Sequence, residues 1–296
     1  MVFLSHWEKH ASKIASAQAV KNSLAVWGEF WGNAMISDLT PMRQDDFIRW
    51  MQAKGWSNGY IFRILADGRS ALNRAKKYQE VTDVPFIFSV RCPEPPERAL
   101  TMQQLATIIN RTREFTPNGA KVPGRDHLFM FILVGIATWA RPDAIFDLTR
   151  DQVNFDSRRI ALNPEGRGQT KKYRPVVAMP DFITEFLKHA DHQIVNYYGR
   201  KVGSVRGFFQ DLQGTQGLPD WLQAKSIRHT MAKHARAAGV DDWHVSGQLG
   251  HRKPGRSTTE IYAKYDPSYL SETRQFTDDF VRQLQKLVRP SLGVDR

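Results

Sequence analysis

One stretch of this 296-residue chain gathers side chains able to handle a phosphate. It runs from Lys225 through Arg228 and His229 to Leu249-Gly250-His251, and then to Tyr262 within STTEIYAKY. An Arg supplies a permanently charged planar fork, a His exchanges a proton near neutral pH, and a Tyr offers an oxygen nucleophile. Those are parts of a phosphoryl-transfer site. Further candidates lie upstream. Arg141 follows a long apolar run, and an Arg at the end of a buried helix is costly unless a carboxylate or another anion meets it. Its structural reading is a salt bridge to Asp143 or Asp147; its functional reading is a guanidinium held for a phosphate. Lys171 and Lys172 stand in the polar segment GRGQTKKYRP, where lysines are ordinarily solvated surface charges.

The elements that must position these residues are mostly helical. From about Lys9 to Gln79 helical patterns alternate with start and stop signals: Thr40-Pro41 reads as a cap with Pro at the first helical position, and Ser57 caps the next helix. Along that helix Ile61, Leu65, Gly68, Leu72 and Ala75 make one packing stripe, with Arg63, Arg74 and Lys77 roughly opposite. Those three cations have two readings, a solvated face or contacts to DNA phosphates. Trp27, Phe30 and Trp31 read as core. Residues 84 to 100, with four prolines and little periodicity, read as a linker. Thr101 and Gln104 form a capping box, and the apolar run Leu128 to Ala140 predicts a central buried helix. Short β-type segments follow near Val153 to Phe155, Ile160 to Leu162 and Tyr173 to Met179, which predicts a small antiparallel sheet. Amphipathic helices are expected over Asp181 to Tyr198, Ser204 to Leu212, 226 to 238, and Glu272 to Val288.

Composition narrows the partners. Lys plus Arg total 42 against 30 acidic residues, a net charge of +12, which favours a polyanion through counterion release. A single Cys92 leaves no intramolecular disulfide framework and no multi-cysteine metal site. The longest apolar run has 13 residues, too short for a bilayer, and the N-terminus lacks the apolar segment of a signal peptide. The expectation is a cytoplasmic protein with no metal, no cofactor and no membrane contact.

The ordered set Arg141, Lys171, Arg228, His251 and Tyr262 resembles the motif set of the tyrosine recombinases, the phage-integrase family. ATWARPDAIFDLTRDQVNF is similar to the segment carrying that family's first catalytic Arg, with Leu148 seven residues on; GRGQTKKYRPVVAMP is similar to its β-hairpin with the catalytic Lys. Leu249-Gly250-His251 matches the family's Leu-Gly-His, and the eleven-residue step to Tyr262 selects that residue over Tyr265 and Tyr269 as nucleophile. The resemblance implies a mainly α fold with a small antiparallel β-sheet (α+β). A helical, SAM-like core-binding domain would span 1–84, a linker 85–100, a catalytic domain 101–275 and a helical tail 276–296. It implies a site-specific DNA recombinase of a phage or mobile element that forms a covalent 3′-phosphotyrosine without metal or ATP. Catalytic roles fall to Arg141, Lys171, Lys225, Arg228, His251 and Tyr262, with Lys172 the alternative to Lys171. Contacts to double-stranded DNA fall to Arg63, Arg74, Lys77 and Lys172. The implied assembly is a homo-tetramer on DNA through exchange of the C-terminal tail, with DNA-bending accessory proteins as further partners. Two positions depart from the family: Ala144 stands where an acidic residue is usual, and Lys225 where a His is usual. They keep open a second class, a regulatory DNA-binding protein that retains the fold, beside a third, a type IB topoisomerase.

Overall fold

The computed structural model describes residues 2–14, 16–94, 96–113, 125–170, 172–251, 270–289 and 292. It divides into two compact units, Met1–Pro96 and Glu97–Arg296.

The first unit is helical: α1 (Val2–Lys9), α2 (Ala17–Trp31), α3 (Pro41–Ala53) and α4 (Asn58–Lys77). Both sequence-read caps form, with the Thr40 hydroxyl accepting from the Arg43 N–H and Ser57 from the Tyr60 N–H. The stripe on α4 is buried from Ile61 to Ala75. Its Gly68 is needed because a Cβ there would lie 2.1 Å from Trp27 Cε2. The indole of Trp27 is fully buried and donates to the Ile64 carbonyl at 2.8 Å, so α2 and α4 pack through a satisfied polar handle. The proline-rich segment expected as a linker is laid against this unit over its first half. Gln44 donates to the Phe86 carbonyl at 3.0 Å and accepts from the Phe88 N–H at 2.8 Å, while Arg69 donates to the carbonyls of Ile87 and Phe88. Main-chain groups without a strand partner are thereby satisfied by side chains.

The second unit is built on α6 (Asp126–Thr138), which is buried nearly throughout, as its apolar composition requires. Around it stand α5 (Met102–Thr112), α7 (Pro142–Phe146), α10 (Ser226–Ala237), α11 (Asp242–Leu249) and α12 (Ser271–Leu284). Strands β1 (Val153–Asn154), β2 (Arg159–Ala161) and β3 (Val176–Ala178) form an antiparallel sheet in the order β1-β2-β3, with Ile160 opposite Val153 on one side and Val177 on the other. The strands are shorter than the sequence suggests because turn residues and Pro175 interrupt the ladders.

Three expected helices differ. Asp181 to Tyr198 is not one helix: a short 3-10 turn leads into α8 (Thr184–Lys188), and β4 (Asn196–Tyr197) then pairs with β5 (Arg200–Lys201). Tyr198 and Gly199 both take positive φ, 47° and 76°, a hairpin turn that a helical pattern cannot continue through. The expected stretch 204 to 212 condenses to α9 (Arg206–Asp211), and the C-terminal helix stops at Leu284. Within the single chain α12 is seated on its own unit, with Phe280, Val281, Leu284, Val288 and Leu292 in the core. Among the described residues no helix is long and apolar enough to cross a membrane.

Candidate active site

Arg228 sits in the first turn of α10 with only 7% of its surface exposed. Its guanidinium is held by main-chain carbonyls: Nη1 donates to the Trp139 oxygen at 2.8 Å and Nη2 to the Leu249 oxygen at 2.7 Å. Both acceptors come from helix ends. Trp139 closes α6 in the left-handed conformation, φ 53°, and is fully buried, its indole donating to Thr277 of α12 at 3.2 Å. A bulky residue in that conformation costs on the order of 1–2 kcal/mol. It is kept because the turn ends α6 and leaves the Trp139 carbonyl on Arg228. Leu249 ends α11, with Gly250 as the left-handed cap at φ 65°.

Gly250 carries the site's closest packing. A Cβ there would stand 2.7 Å from Pro175 Cδ and 3.0 Å from the Tyr173 oxygen, so only Gly allows the α11 end to meet the β2–β3 hairpin. The next residue, His251, places Nε2 3.2 Å from Arg228 Nη2. Arg has donors only, so Nε2 accepts and the neutral ring carries its proton on Nδ1. Desolvation, then the charges of Arg228, Arg141 and Lys225, hold the His251 pKa below 6.5.

Arg141 caps α7 in an extended conformation with Pro142 as the first helical residue. Its Nη1 donates to the Tyr173 carbonyl at 3.0 Å. Neither carboxylate considered as its partner takes that role: Asp147 is engaged by Arg174 and Lys201, and Asp143 is exposed. Among the described residues no carboxylate pairs with Arg141 or Arg228. Burial and then the Arg174 charge lower the pKa of Arg141; burial and then the Arg141 charge push that of Arg228 down to about 9. Both guanidinium groups are cationic at neutral pH, and with no carboxylate on them among the described residues an anion would relieve repulsion and desolvation together. Lys225 is exposed at the start of α10 and lines a cavity of about 630 Å3 with Arg98, Asp143 and Arg206.

No protein-family model matches the chain. Among curated proteins it is similar to tyrosine recombinase XerC of Chromohalobacter salexigens, 24% identical over 288 residues, covering 91% of this chain and 92% of that protein. Tyrosine recombinase XerC of Rhizobium meliloti is 23% identical over 261 residues, covering 83% and 80% respectively. Among solved structures, the Tn1549 transposon integrase in complex with transposon right end DNA superposes with a TM-score of 0.69 at 14% identity, covering 93% of this chain and 97% of that one. A lambda integrase dimer bound to a core site gives 0.66 at 13% identity, covering 90% and 97%. The chain is a relative of the tyrosine recombinases and has their fold.

In this tyrosine-recombinase relative, four of the residues assigned from the sequence share one region: after burial, the charges of Arg228, Arg141 and Lys225 lower the pKa of His251, and that of Arg141 lowers the pKa of Arg228. Lys171 and Tyr262, with the competitors Tyr265 and Tyr269, lie outside the described residues. Lys172 is exposed in the hairpin. On α4, Arg63 is exposed with its Nε 3.7 Å from Asp67, Arg74 lies 4.3 Å over the Tyr78 ring, and Lys77 is exposed. Ala144 is 2% exposed, so its side chain is part of the core. Sequence reasoning missed Trp139 and Tyr173, because an orienting main-chain carbonyl leaves no mark on residue type. It also missed why Gly250 precedes His251, although a Gly directly after a helical run is a readable cap signal.

Proposed function

We propose that the chain is a site-specific DNA recombinase that breaks and rejoins strands through a covalent 3′-phosphotyrosine. The observation that carries this reading is the pair of guanidinium groups, Arg141 and Arg228, held by main-chain carbonyls beside His251 with no carboxylate among the described residues to neutralise them. Cations fixed before the substrate arrives stabilise charge that builds on nonbridging phosphate oxygens without having to reorganise. In this reading Tyr262 gives up its phenolic proton to solvent and attacks the scissile phosphorus, its Oη–P bond forms as the P–O5′ bond breaks, and the leaving oxygen takes a proton from Lys171 or Lys172. Lys225 binds a nonbridging oxygen where a His is usual in the family. Attack of the 5′-hydroxyl on the phosphotyrosine reverses the step, so the bond energy is conserved. Similarity to DNA-bound integrases supports double-stranded DNA as substrate, with phosphate contacts from Arg63, Arg74, Lys77 and Lys172. Assembly as a tetramer, use of DNA-bending proteins, action in the cytoplasm and service to a phage or mobile element belong to the same proposal.

A nicked suicide duplex carrying the chain's own recombination site tests it. Wild type should accumulate a covalent protein–DNA adduct and Tyr262→Phe should form none, while binding the duplex as before. An adduct persisting in that variant would move the nucleophile elsewhere; no adduct from wild type on its site would instead support the regulatory DNA-binding class.

A further inference from the structure

Ala144 leaves the family's usual carboxylate position apolar, yet a carboxylate one helical turn further on is committed to the same corner of the site. Asp147 Oδ2 accepts from Arg174 Nη1 at 2.7 Å, and its Oδ1 lies 2.5 Å from Lys201 Nζ on β5. Arg174 is 9% exposed and immediately precedes Pro175 at the base of β3. Its main chain is cross-linked to the other arm of the hairpin, for Gln169 accepts from the Arg174 N–H at 3.1 Å and donates to the Arg174 carbonyl at 2.9 Å. Of the chain between those two residues, Thr170, Lys172 and Tyr173 are described, and the Tyr173 carbonyl meets Arg141.

We propose that the Asp147–Arg174 ion pair is a clamp that fixes the Arg174 arm of the β2–β3 hairpin so that the hairpin's lysine delivers a proton to the leaving 5′ oxygen. Asp147 thereby fills, through the hairpin, the supporting place that Ala144 leaves apolar. The inference rests on the recombinase reading above. Asp147 touches neither substrate nor reacting atoms and is a positioning residue. A partly buried ion pair is suited to this because it has one good geometry: Arg174 offers a planar fork that a carboxylate placed at α7's C-terminal end satisfies. Lys201 steadies the second carboxylate oxygen. Burial alone would raise the Asp147 pKa, but the hydrogen bonds from Lys201 and Arg174 outweigh it and hold the group below 3.8, so the clamp is ionised at neutral pH.

The full-length chain is assayed at saturating DNA with two suicide duplexes, one ordinary and one with sulfur replacing the bridging 5′ oxygen at the scissile phosphate. In the ordinary reaction the P–O5′ bond breaks and the oxygen must gain a proton; in the sulfur substrate the P–S5′ bond breaks and a thiolate leaves without one. Asp147→Asn should slow adduct formation on the oxygen substrate by about 10²-fold, the low end of what a general acid contributes. It should leave the DNA-binding midpoint unchanged and react with the sulfur substrate within about threefold of wild type, since that step needs no proton donor. Asp147→Glu should restore most of the loss. If Asp147→Asn does not fold, Arg174→Lys, which keeps the charge but not the fork, must show the same substrate pattern. Equal losses on both substrates, or no loss on oxygen, overturn the clamp alone. Absence of adduct from wild type on either substrate overturns the recombinase reading and the clamp with it.

Discussion

Arg228 and His251 show how much of this site depends on what surrounds a residue. Arg228 spends two donors on the carbonyls of Trp139 and Leu249, which lock the guanidinium plane, and a third contact falls on the His251 ring. His251 is consequently neutral in the free protein. Its folded pKa lies below the ordinary 6.5, so the stability that goes with the neutral ring is full above pH 6.5 and declines as the pH falls through the lower folded value. Burial and then the charges of Arg228, Arg141 and Lys225 keep the ring neutral, and a phosphate among those cations would cancel the second contribution. DNA binding should therefore raise the His251 pKa and take up a fraction of a proton, tightening as the pH falls through the raised value of the complex towards the lower value of the free protein. NMR titration of the His251 ring with and without duplex checks this; a value unmoved by DNA would mean that no phosphate reaches it. The Leu-Gly-His tripeptide made His251 readable in the sequence, but not its tautomer, which depends on an Arg 23 residues away in the chain.

At the scale of elements, the site is a junction of four ends: those of α6 and α11, the start of α10 and the base of the β2–β3 hairpin. Gly250 is where two of them touch. Gly250→Ala should lose about 1–2 kcal/mol from the left-handed backbone alone. It should also push the hairpin away, because Pro175 is a rigid ring 2.7 Å from the new Cβ. Gly239 provides the control, since it has positive φ of 83° but nothing within 4 Å of a Cβ. Gly239→Ala should show a comparable drop in denaturant midpoint with adduct formation preserved, whereas Gly250→Ala should lose both. The helices themselves were legible: caps at Thr40, Ser57 and Thr101 stand where residue type and spacing place them. The segment from Asp181 to Tyr198 was not, since its apolar spacing suits a helix while a Tyr-Gly turn with both residues at positive φ requires a hairpin.

For the whole molecule, the position of the C-terminal helix matters most. In the single chain, α12 and the residues after it place Phe280, Val281, Leu284, Val288 and Leu292 in the core of the second unit, and Thr277 holds the Trp139 indole. Removing a large apolar side chain from a core costs roughly 2–5 kcal/mol, so losing five is enough to offset the roughly 5–15 kcal/mol that keeps a domain folded. Truncation after Leu270 should accordingly abolish cooperative unfolding of the second unit in the absence of DNA, followed by calorimetry. A truncated monomer that still melted cooperatively would show that the helix serves a neighbour instead, the tail exchange expected from the sequence.

The sequence by itself determined the chemistry on offer. Residue types and their order named Arg141, Lys171, Arg228, His251 and Tyr262, and the +12 charge pointed to a polyanion. Periodicity and caps defined most helices because those are local properties, set within a few residues of chain. Only the tertiary structure decided what holds the groups in place: a strained Trp139 carbonyl, the Gly250 contact with Pro175 and the Asp147–Arg174 pair. Each joins residues far apart in the chain through main-chain atoms or buried charges. Such contacts have no local periodicity and leave no pattern in residue type, so they become visible only when the chain is folded.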